Sequence, residues 1–391
     1  MIGLGKRGHR LLGNLLANPE VQVVAVAEVE RTRRESAKHK IEEHYGKQER
    51  KGNFKGADAY VDFRNIIQRD DIEAVVIATP DHWHAIPAVE AAKARKDIYC
   101  EKPLSLTIHE ARVIADTARR HGVIFQTGSQ QRSEMGGRFR HACELVRNGR
   151  IGRVHTALVN VGGPGRDCEL PAQECPDNVD WNLWLGPAPE RPYNEALCPG
   201  GMHDHYPDWR QYWDYAGGMM TDWGAHHFDI VQWGLGMDDS GPVEIIPPEG
   251  DRTRIRYRYA NDVIVHHSGS SIGAKFIGEN GWVDVNRGEL RTFPDKLKNE
   301  KIGEKEIHLY KADNHLGNWL ECVRSRRQPI CNADIGARSV TVCHLGNFAY
   351  RYGRRLRWDP VKWEFIGDRE ANTWRERPLR DPWKLDAGQD T

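Results

Sequence analysis

The first third of the chain alternates short apolar runs with segments of helical character. Val21 to Ala27, Ala74 to Ala78 and Val123 to Thr127 are apolar and rich in β-branched residues, as is typical of strands buried on both faces of a sheet. Ala85 to Lys96 has helical composition, and Thr107 to Arg120 opens with the spacing of a capping box. Strands that alternate with helices predict an α/β domain with a parallel, doubly wound sheet, a Rossmann-type arrangement.

The pattern changes after residue 149. A longer strand is predicted from Val154 to Val161, and a loop-rich, Trp-containing segment follows it. Short strands and two helices complete this half: Thr253 to Tyr259, Val263 to His267, Ala274 to Ile277, Trp282 to Val285, then helices Asn314 to Arg326 and Ala333 to Tyr350. We therefore predict an α+β second domain with a mainly antiparallel sheet. The expected boundaries are 1–128 and 129–391, with a tail (354–391) packed on the first domain or on a partner.

Gly3, Gly5 and Gly8 form a GxGxxG motif that opens the first predicted helix. Such glycines let the backbone approach a pyrophosphate at a helix N-terminus. The motif lies between a short apolar start and a second strand, which is the context of a dinucleotide site. We assign the loop side chains Lys6 and Arg7 to the same cofactor site.

An acidic residue, Glu28, ends the second predicted strand about 20 residues beyond the motif, as the dinucleotide fingerprint expects. Its carboxylate would accept hydrogen bonds from the adenosine ribose and repel a 2′-phosphate. NAD is therefore favoured over NADP, although Arg31 and Arg33 are close enough in sequence to weaken that preference.

Further polar residues follow the carboxyl ends of predicted strands, where open α/β sheets bind ligands. Lys102, in a Glu-Lys-Pro sequence, could reach a bound substrate. Glu101 either contacts the nicotinamide ribose or pairs with an arginine. The residues assigned to the cofactor on this basis are Thr79, Pro80, His82, Trp83, His84, Glu101, Lys102 and Gln130.

The segment from Gly217 to Trp233 carries the second candidate chemistry. On a helix, Asp222 and His226 are four residues apart and share one face. Imidazole titrates near neutral pH and a carboxylate can orient it, so the pair is a usable acid/base. The same spacing also occurs in capping and packing, which leaves the functional interpretation open at this point.

These motifs, in this order, resemble the Gfo/Idh/MocA oxidoreductase family, and the resemblance runs over nearly the whole chain. Trp181 to Pro189, Trp209 to Gly218 and Asp381 to Leu385 resemble its planctomycete-type branch. The resemblance implies Lys102 as catalytic lysine and Asp222 with His226 as acid/base pair. It also implies sugar or polyol substrates and a homo-dimer or homo-tetramer formed through an open antiparallel sheet.

Members of that branch often carry a twin-arginine export signal. The chain opens almost directly in the glycine motif, so we expect upstream residues to be missing. The expected compartment is cytoplasmic for the sequence as it stands and periplasmic if an export signal preceded it.

The first functional hypothesis is reversible oxidation of a secondary alcohol on a sugar, polyol or glycoside. The expected substrate contacts, besides Lys102, Asp222 and His226, are Arg132, Trp181, His205, Trp209 and Arg210. A second hypothesis is NAD-dependent glycoside cleavage, in which C3 is oxidised transiently, the aglycone is eliminated, and the ketone is reduced again. The sequence does not separate these two.

Two hypotheses belong to other classes. His203, His205 and the pairs His226–His227 and His266–His267 offer metal ligands, but none has a compact zinc spacing, and no metal site is assigned. A non-catalytic nucleotide-binding protein is the other alternative. Intact Lys102, Asp222 and His226 argue against it, since such a protein does not need all three.

Composition narrows the partners. The 391 residues are 39% hydrophobic, and 56 basic side chains balance 56 acidic ones, so no nucleic-acid or membrane-surface partner is indicated. No apolar run is long enough to span a bilayer. The eight cysteines include no CxxC pair, and Cys168, Cys175 and Cys198 lie in one loop-rich region where a disulfide is neither required nor excluded.

Overall fold

The structure is a computed structural model, and it describes residues 1–47, 54–268 and 272–386. The segment 31–50 is highly charged, which is typical of a solvated helix, and its last three residues lie outside these ranges, as do the last five residues of the predicted tail. The strands of the first domain are β1 (Ala25–Ala27), β2 (Asp58–Tyr60), β3 (Ala74–Ile77), β4 (Asp97–Cys100) and β5 (Phe125–Thr127). Its helices are α1 (Lys6–Leu16), α2 (Arg31–Gly46), α3 (Arg64–Ile67), α4 (Ala85–Lys93) and α5 (Ile108–His121).

All the pairings within this sheet are parallel. β1 pairs with β2, and β3, β4 and β5 pair in sequence order. Ile2 forms parallel bridges to both Ala27 and Ile77, so the first residues of the chain join the two sets of strands. The side chain of Ile2 is buried, and Gly3 donates its N–H to the carbonyl of Ala27. The predicted doubly wound sheet is confirmed, with a first strand reduced to a single bridging residue.

The second domain begins with α6 (Arg138–Arg147) and β6 (Val154–Asn160). Its other helices are α7 (Trp181–Leu185), α8 (Met219–Asp222), α9 (Gly224–Leu235), α10 (His315–Ser325), α11 (Ala333–Tyr352) and α12 (Arg369–Thr373). Its other strands are β7 (Glu244–Ile246), β8 (Arg256–Arg258), β9 (Ile264–His267), β10 (Gly273–Gly278), β11 (Gly281–Val285), β12 (Leu290–Phe293), β13 (Leu356–Asp359) and β14 (Glu364–Phe365).

These strands form one nine-stranded sheet in the order β12-β11-β10-β6-β9-β8-β7-β13-β14. All neighbours are antiparallel except β6 and β9, so the prediction of a mainly antiparallel sheet is confirmed. Alternate residues of β6 and β10 are buried, as expected for a sheet covered on one face. Helix α9 covers β6 and β10, α6 covers β11 and β12, and α11 contacts β7.

The loop-rich segment after β6 has a small aromatic core of its own. Trp181 stacks on Trp184 with ring centroids 4.7 Å apart, and Tyr193 meets Trp181 edge-on at 5.2 Å. Tyr215 packs against the other side of Trp184 at 5.1 Å. This core holds the segment against the first domain, where His82 contacts the ring and the backbone of Trp184.

Two later segments return to the first domain. Helix α10 inserts Trp319 beside Tyr99, with ring centroids 5.8 Å apart, so this part of the predicted second domain completes the core of the first. In the tail, Trp383 packs edge-on against Trp83 at 4.7 Å, and Lys93 pairs with Asp386 at 2.8 Å. The beginning of the tail supplies β13 and β14 to the large sheet, which the sequence pattern did not predict.

Candidate active site

A cleft of about 350 Å³ lies at the carboxyl edge of the parallel sheet, between the first domain and the α8–α9 region of the second. We call the part lined by the glycine loop and Glu28 the cofactor end. The part lined by Lys102, Asp222 and His226 is the substrate end. The segment 199–207 borders both.

The glycine loop is shaped for close approach of a ligand to the backbone. Gly3 has a positive φ of 84°, and a Cβ on it would lie 2.7 Å from the backbone of Ala78. A Cβ on Gly8 would lie 2.2 Å from the carbonyl oxygen of Gly3, so Gly8 permits tight packing of α1 behind the loop. Gly5 is the N-cap residue of α1, so no side chain there bonds to the first N–H groups of the helix. The space that a Cβ on Gly5 would occupy is open. The N-terminal N–H groups of α1 therefore remain available to an anion at the cleft.

A second feature of the cofactor end fits a dinucleotide. The hydroxyl of Thr79 is buried at the cleft without a hydrogen-bond partner among the described residues. A buried hydroxyl normally has a partner, so Thr79 is suited to a ligand that supplies one. The donor set of loop N–H groups, Thr79 and a ribose-binding acid fits a nicotinamide dinucleotide.

Glu28 is buried at the cofactor end and already accepts hydrogen bonds from the chain. Its Oε2 accepts from the N–H of Leu4 at 2.6 Å, and its Oε1 accepts from the N–H of Glu30 at 3.1 Å. Arg33 lies 3.3 Å from the same carboxylate and also donates to the carbonyl of Pro199 at 2.8 Å. The charge of Arg33 is therefore compensated within the protein.

Of the two roles expected for Glu101, the structure shows the ion pair with an arginine. Its Oε1 accepts from Nε of Arg7 at 2.8 Å and from the amide of Gln130 at 3.0 Å. Lys6 also has a partner, since its ammonium donates to the carbonyl of Asp204 at 2.9 Å. The contact of Lys6 with Asp204 connects the glycine loop to the segment 199–207.

Lys102 and Asp222 form the central contact of the substrate end. Nζ of Lys102 donates to Oδ1 of Asp222 at 2.5 Å and to its backbone carbonyl at 2.9 Å. Burial acts to raise the pKa of Asp222, but the charges of Lys102 and Arg210 outweigh burial and hold the pKa below its ordinary value. Asp222 is therefore ionised at neutral pH and anchors the lysine ammonium.

His226 lines the cleft beside this pair, but it is not hydrogen bonded to Asp222. Helix α8 ends at Asp222, and α9 restarts at Gly224 after Trp223, so the two side chains do not lie on one continuous helix. Neither ring nitrogen of His226 has a hydrogen-bond partner in the described ranges, and Nδ1 is fully enclosed. Burial, reinforced by the charge of Lys102, holds the pKa of His226 well below its ordinary value. The imidazole is thus neutral.

Three predicted substrate contacts lie outside the cleft. Arg132 is 1% exposed, and its guanidinium makes a double hydrogen bond with Asp229 at 2.8 Å and another with Asp238. Trp181 lies under Trp184 in the aromatic core and donates its indole N–H to a backbone carbonyl. His205 is exposed and does not line the cleft. We correct these assignments, while Trp209 and Arg210 do line the substrate end.

Two predicted cofactor residues, His82 and His84, are buried behind the cleft wall. His82 bonds to the carbonyl of Trp184 at 3.0 Å, and burial lowers its pKa to about 4. His84 lies 2.7 Å from the carbonyl of Pro103 and 3.0 Å from that of Thr79, so it holds these two turns together. Neither histidine lines the cleft, and both instead hold the backbone that forms its wall. Trp83 and Pro80 line it directly.

The sequence interpretation missed Asp81 and Arg287. Asp81 is 3% exposed, and burial together with the charge of Asp222 raises its pKa to about 8. Arg287 lies in the turn between β11 and β12 and reaches the substrate end. Its guanidinium stacks over Trp223 at 4.6 Å from the ring centroid. Asp81 carried a signal, because it follows a strand at its carboxyl end, but Arg287 carried none.

Fold and cleft together define a two-domain protein with a Rossmann-type dinucleotide site. A model of the oxidoreductase family NAD-binding Rossmann fold matches residues 1–129, and one of the oxidoreductase family C-terminal alpha/beta domain matches residues 164–385. The chain belongs to the Gfo/Idh/MocA oxidoreductase family.

Similar proteins include oxidoreductases and a glycosidase. The chain is 26% identical over 242 residues to the uncharacterized oxidoreductase YrbE of Bacillus subtilis, covering 61% of this chain and 53% of YrbE. It is 31% identical over 157 residues to a glycosyl hydrolase family 109 protein of Saccharopolyspora erythraea, covering 39% and 32%. The matched segments thus span about half or less of these relatives' own length.

Among solved structures, the fold is similar to the aldose-aldose oxidoreductase of Caulobacter crescentus crystallised with glycerol. The TM-score is 0.61 at 19% identity, over 91% of this chain and 98% of that one. This similarity concerns the fold.

Residues 1–47, 54–268 and 272–386 contain no group of three or more His, Cys, Asp or Glu that could hold a metal ion. Cys168, Cys175 and Cys198 are free thiols. Within the same ranges, none of the helices is long and apolar enough to cross a membrane.

Proposed function

We propose that this protein is an NAD-dependent dehydrogenase that transfers a hydride between the nicotinamide and a secondary hydroxyl of a sugar, polyol or glycoside. The observation that supports this most is the Lys102–Asp222 contact of 2.5 Å in the same cleft as the glycine loop. A fixed ammonium beside a neutral imidazole is an arrangement suited to alcohol oxidation, since one can stabilise an alkoxide and the other can accept a proton.

The roles follow from the contacts. An ammonium has three N–H donors, and Lys102 directs two of them to Asp222, which leaves one for the substrate oxygen. Lys102 therefore holds that oxygen and stabilises the alkoxide as it develops. His226 accepts the hydroxyl proton at Nε2, its less enclosed nitrogen, and positioned proton transfer of this kind typically contributes about 10²–10⁴-fold in rate. Asp222 orients Lys102, and Trp209 with Arg210 contacts the sugar.

NAD is the proposed cofactor in preference to NADP. Arg33 is paired with Glu28 and a backbone carbonyl, and Arg31 donates to the carbonyl of Asp177 at 3.2 Å. Arg33 is thus engaged within the protein, and Glu28 would repel a 2′-phosphate. We expect a kcat/KM for NAD that is at least about tenfold that for NADP. Equal values for the two cofactors would contradict this assignment.

The second candidate is glycoside cleavage through transient oxidation at C3, with elimination of the aglycone, addition of water and reduction of the ketone. Segment 199–207 favours it, because contacts of Lys6 with Asp204 (3.1 Å) and of Arg33 with Pro199 (2.8 Å) fasten this segment across the cofactor end. A cofactor held under such a segment can be recycled in place. The similarity to a glycosyl hydrolase family 109 protein is consistent with this candidate.

Proton NMR in heavy water separates the two. The protein is incubated with NAD and a panel of free sugars, polyols and aryl glycosides, while NADH is followed by absorbance. Oxidised sugar with stoichiometric NADH supports the dehydrogenase. Aglycone release with deuterium at C2 and no net NADH supports glycoside cleavage. If neither assay detects a reaction that is lost when Lys102 is replaced, the proposed function is overturned.

We also propose a homo-dimer or homo-tetramer formed through the uncovered face of the nine-stranded sheet. Half-buried apolar residues on the strands of this face, away from the helices, include Leu158, Ile264, Ile277 and Trp282. Apolar patches of this kind are typical of interfaces. Native mass spectrometry of the wild type and of Ile277→Asp tests the proposal, and a monomeric wild type would refute it.

A further inference from the structure

The substrate end of the cleft carries more positive than negative charge. Lys102, Arg210 and Arg287 contribute three cations, and Asp222 is the carboxylate that faces them in ionised form. The neighbouring Asp81 has its pKa raised to about 8 by burial and by Asp222, so it is largely protonated at pH 7. Arg287 is exposed at the rim of the cleft, so water solvates its charge in the absence of a ligand, and an anionic group on the substrate could take the place of that water.

Arg287 lines the substrate end without a direct ion pair, although the charges of Glu134 and Asp222 act on it from a greater distance. It makes no ion pair with any carboxylate of the described ranges. Its Nε donates to Oε1 of Gln131 at 2.9 Å, its guanidinium lies over Trp223, and its backbone carbonyl accepts from Arg138 at 2.5 Å. These contacts fix the guanidinium plane and leave both terminal Nη groups without a partner among the described residues. A planar fork held in this way is suited to a bidentate anion.

Arg210 reaches the same region from the other wall. Its guanidinium lies 4.3 Å from the ring centroid of Trp209 and 4.5 Å from that of Tyr206. Its Nε is 3.9 Å from Oδ1 of Asp222, too far for a hydrogen bond. Both arginines line the cleft, and the charges of both act on Asp222, so the two guanidinium groups lie at the same end of the cleft.

The cofactor end differs in this respect. Lys6, Arg7 and Arg33 each have a carboxylate partner within 3.3 Å. Arg10 also lines the cofactor end and makes no ion pair within the described ranges, so what sets the substrate end apart is the pair of arginines that face the reacting groups.

We propose that the substrate is a sugar acid whose carboxylate is bound by the Nη groups of Arg287, with Arg210 supporting the same charge. This proposal rests on the proposed dehydrogenase function, because it assumes that the reacting hydroxyl binds beside Lys102 and His226. It adds the chemical class of the substrate to that function. A carboxylate is a planar anion that matches a guanidinium fork in a bidentate contact. One such charge offsets the excess without reversing it.

The test uses matched pairs of probes that differ in the acidic group: D-glucuronate with D-glucose, D-galacturonate with D-galactose, and D-gluconate with D-glucitol. Binding to the NADH-loaded protein is measured by calorimetry, so that turnover is not needed, and kcat/KM is measured separately. We expect at least one acid to bind about tenfold or more tightly than its neutral partner. Arg287→Gln should weaken binding of that acid about 10- to 100-fold and leave the neutral partner within about threefold.

Arg291→Gln is the matched control. Arg291 lies on the same β11–β12 hairpin, is exposed and pairs with Asp284 at 3.0 Å, so its removal changes the net charge equally without touching the cleft. We expect no change in acid binding in this variant. An equal loss in Arg291→Gln would show a long-range charge effect and overturn the assignment of Arg287.

Other outcomes separate the inference from the function on which it rests. Turnover of neutral sugars with no acid preferred in any pair would overturn the sugar-acid proposal and leave the dehydrogenase standing. Tighter binding of D-glucose 6-phosphate than of every sugar acid would also overturn it, by assigning Arg287 to a phosphate. An acid that binds through Arg287 but is never oxidised would support the binding site and refute the proposed dehydrogenase.

Discussion

Replacement of Lys102 by methionine removes the ammonium and keeps a side chain of similar length. Two of its three N–H donors are engaged by Asp222, at 2.5 and 2.9 Å, so the variant loses both the anchor and the donor left for the substrate oxygen. Loss of one donor to a developing oxyanion costs about 10²–10³-fold in kcat. The positive charge that also favours deprotonation of the substrate is lost with it. We expect kcat/KM to fall about 10³-fold or more.

The same substitution leaves Asp222 without its closest cation. Lys102 and Asp222 have side chains that are 15% and 19% exposed, and breaking a fully buried pair costs roughly 3–5 kcal/mol. Arg210 remains 3.9 Å from the same oxygen, so we expect a smaller loss, about 1–3 kcal/mol of unfolding free energy.

The pH dependence of this stability loss has a defined sign. The folded-state pKa of Asp222 is lowered, so its contribution to stability is present above its unfolded-state pKa and is lost as the pH falls through the folded-state value. The difference in Tm between the wild type and Lys102→Met should therefore be largest near neutral pH. It should shrink below about pH 4, where Asp222 becomes protonated in the unfolded chain.

The assay combines initial rates of NADH formation with fluorescence titration of NADH and thermal unfolding. Lys96→Met is the matched control, since Lys96 is 5% exposed and donates to the carbonyls of Arg69 and Ile72, both at 2.7 Å, outside the cleft. It should lose stability and keep kcat/KM near the wild-type value. A folded Lys102→Met protein that binds NADH and retains more than a tenth of wild-type kcat/KM would refute the assignment of Lys102.

Three further predictions concern single residues of the cleft. Because the pKa of His226 is lowered, kcat/KM should fall only at a pH well below 6.5, and His226→Asn should remove this acid limb along with most activity. The folded-state pKa of Asp81 is raised to about 8, so the wild type loses stability as the pH rises from about 4 to 8. Asp81→Asn should therefore raise Tm more at pH 8 than at pH 5, and an equal change at both would contradict this. In Gly8→Ala the new Cβ would lie 2.2 Å from the carbonyl oxygen of Gly3, which should lower the free energy of unfolding by about 1–3 kcal/mol and remove most of the affinity for NADH. Gly13→Ala on the same helix is the control, because its Cβ would lie 3.6 Å from the nearest neighbour, and it should change neither quantity.

The fold was predictable because its signals are local. Buried parallel strands appear as β-branched runs, and the capping box predicted from Thr107 and Glu110 is present, with Glu110 donating its N–H to the threonine hydroxyl at 3.1 Å. Glu279 to Gly281 has the sequence of a hairpin turn, and it joins β10 to β11. The insertion of α10 into the first domain was not predictable, because an amphipathic pattern does not say which core its apolar face will join.

The substrate end was predictable only in part, for the same reason. Arg132 follows the carboxyl end of a strand, a position that indicated a ligand contact. A buried guanidinium needs carboxylate partners, however, and Asp229 and Asp238 supply them from far along the chain. Arg287 lies in a hairpin turn, where an arginine is ordinarily solvated. The fold brings that turn to the same cleft as Asp222, and such distant contacts leave no periodic signal in sequence.

The pairing of Asp222 with Lys102, and not with His226, follows from the charges that each group can carry in this cleft. The ammonium and the carboxylate are both largely enclosed, and each is stable as an ion only beside the other. His226 is enclosed beside cations, so it avoids that cost by staying neutral and needs no carboxylate. A neutral imidazole has a lone pair that can accept a proton, and an ammonium whose charge is fixed is suited to hold an alkoxide. The helix rule that places Asp222 and His226 on one face describes their spacing, whereas desolvation decides which of them acts with Lys102.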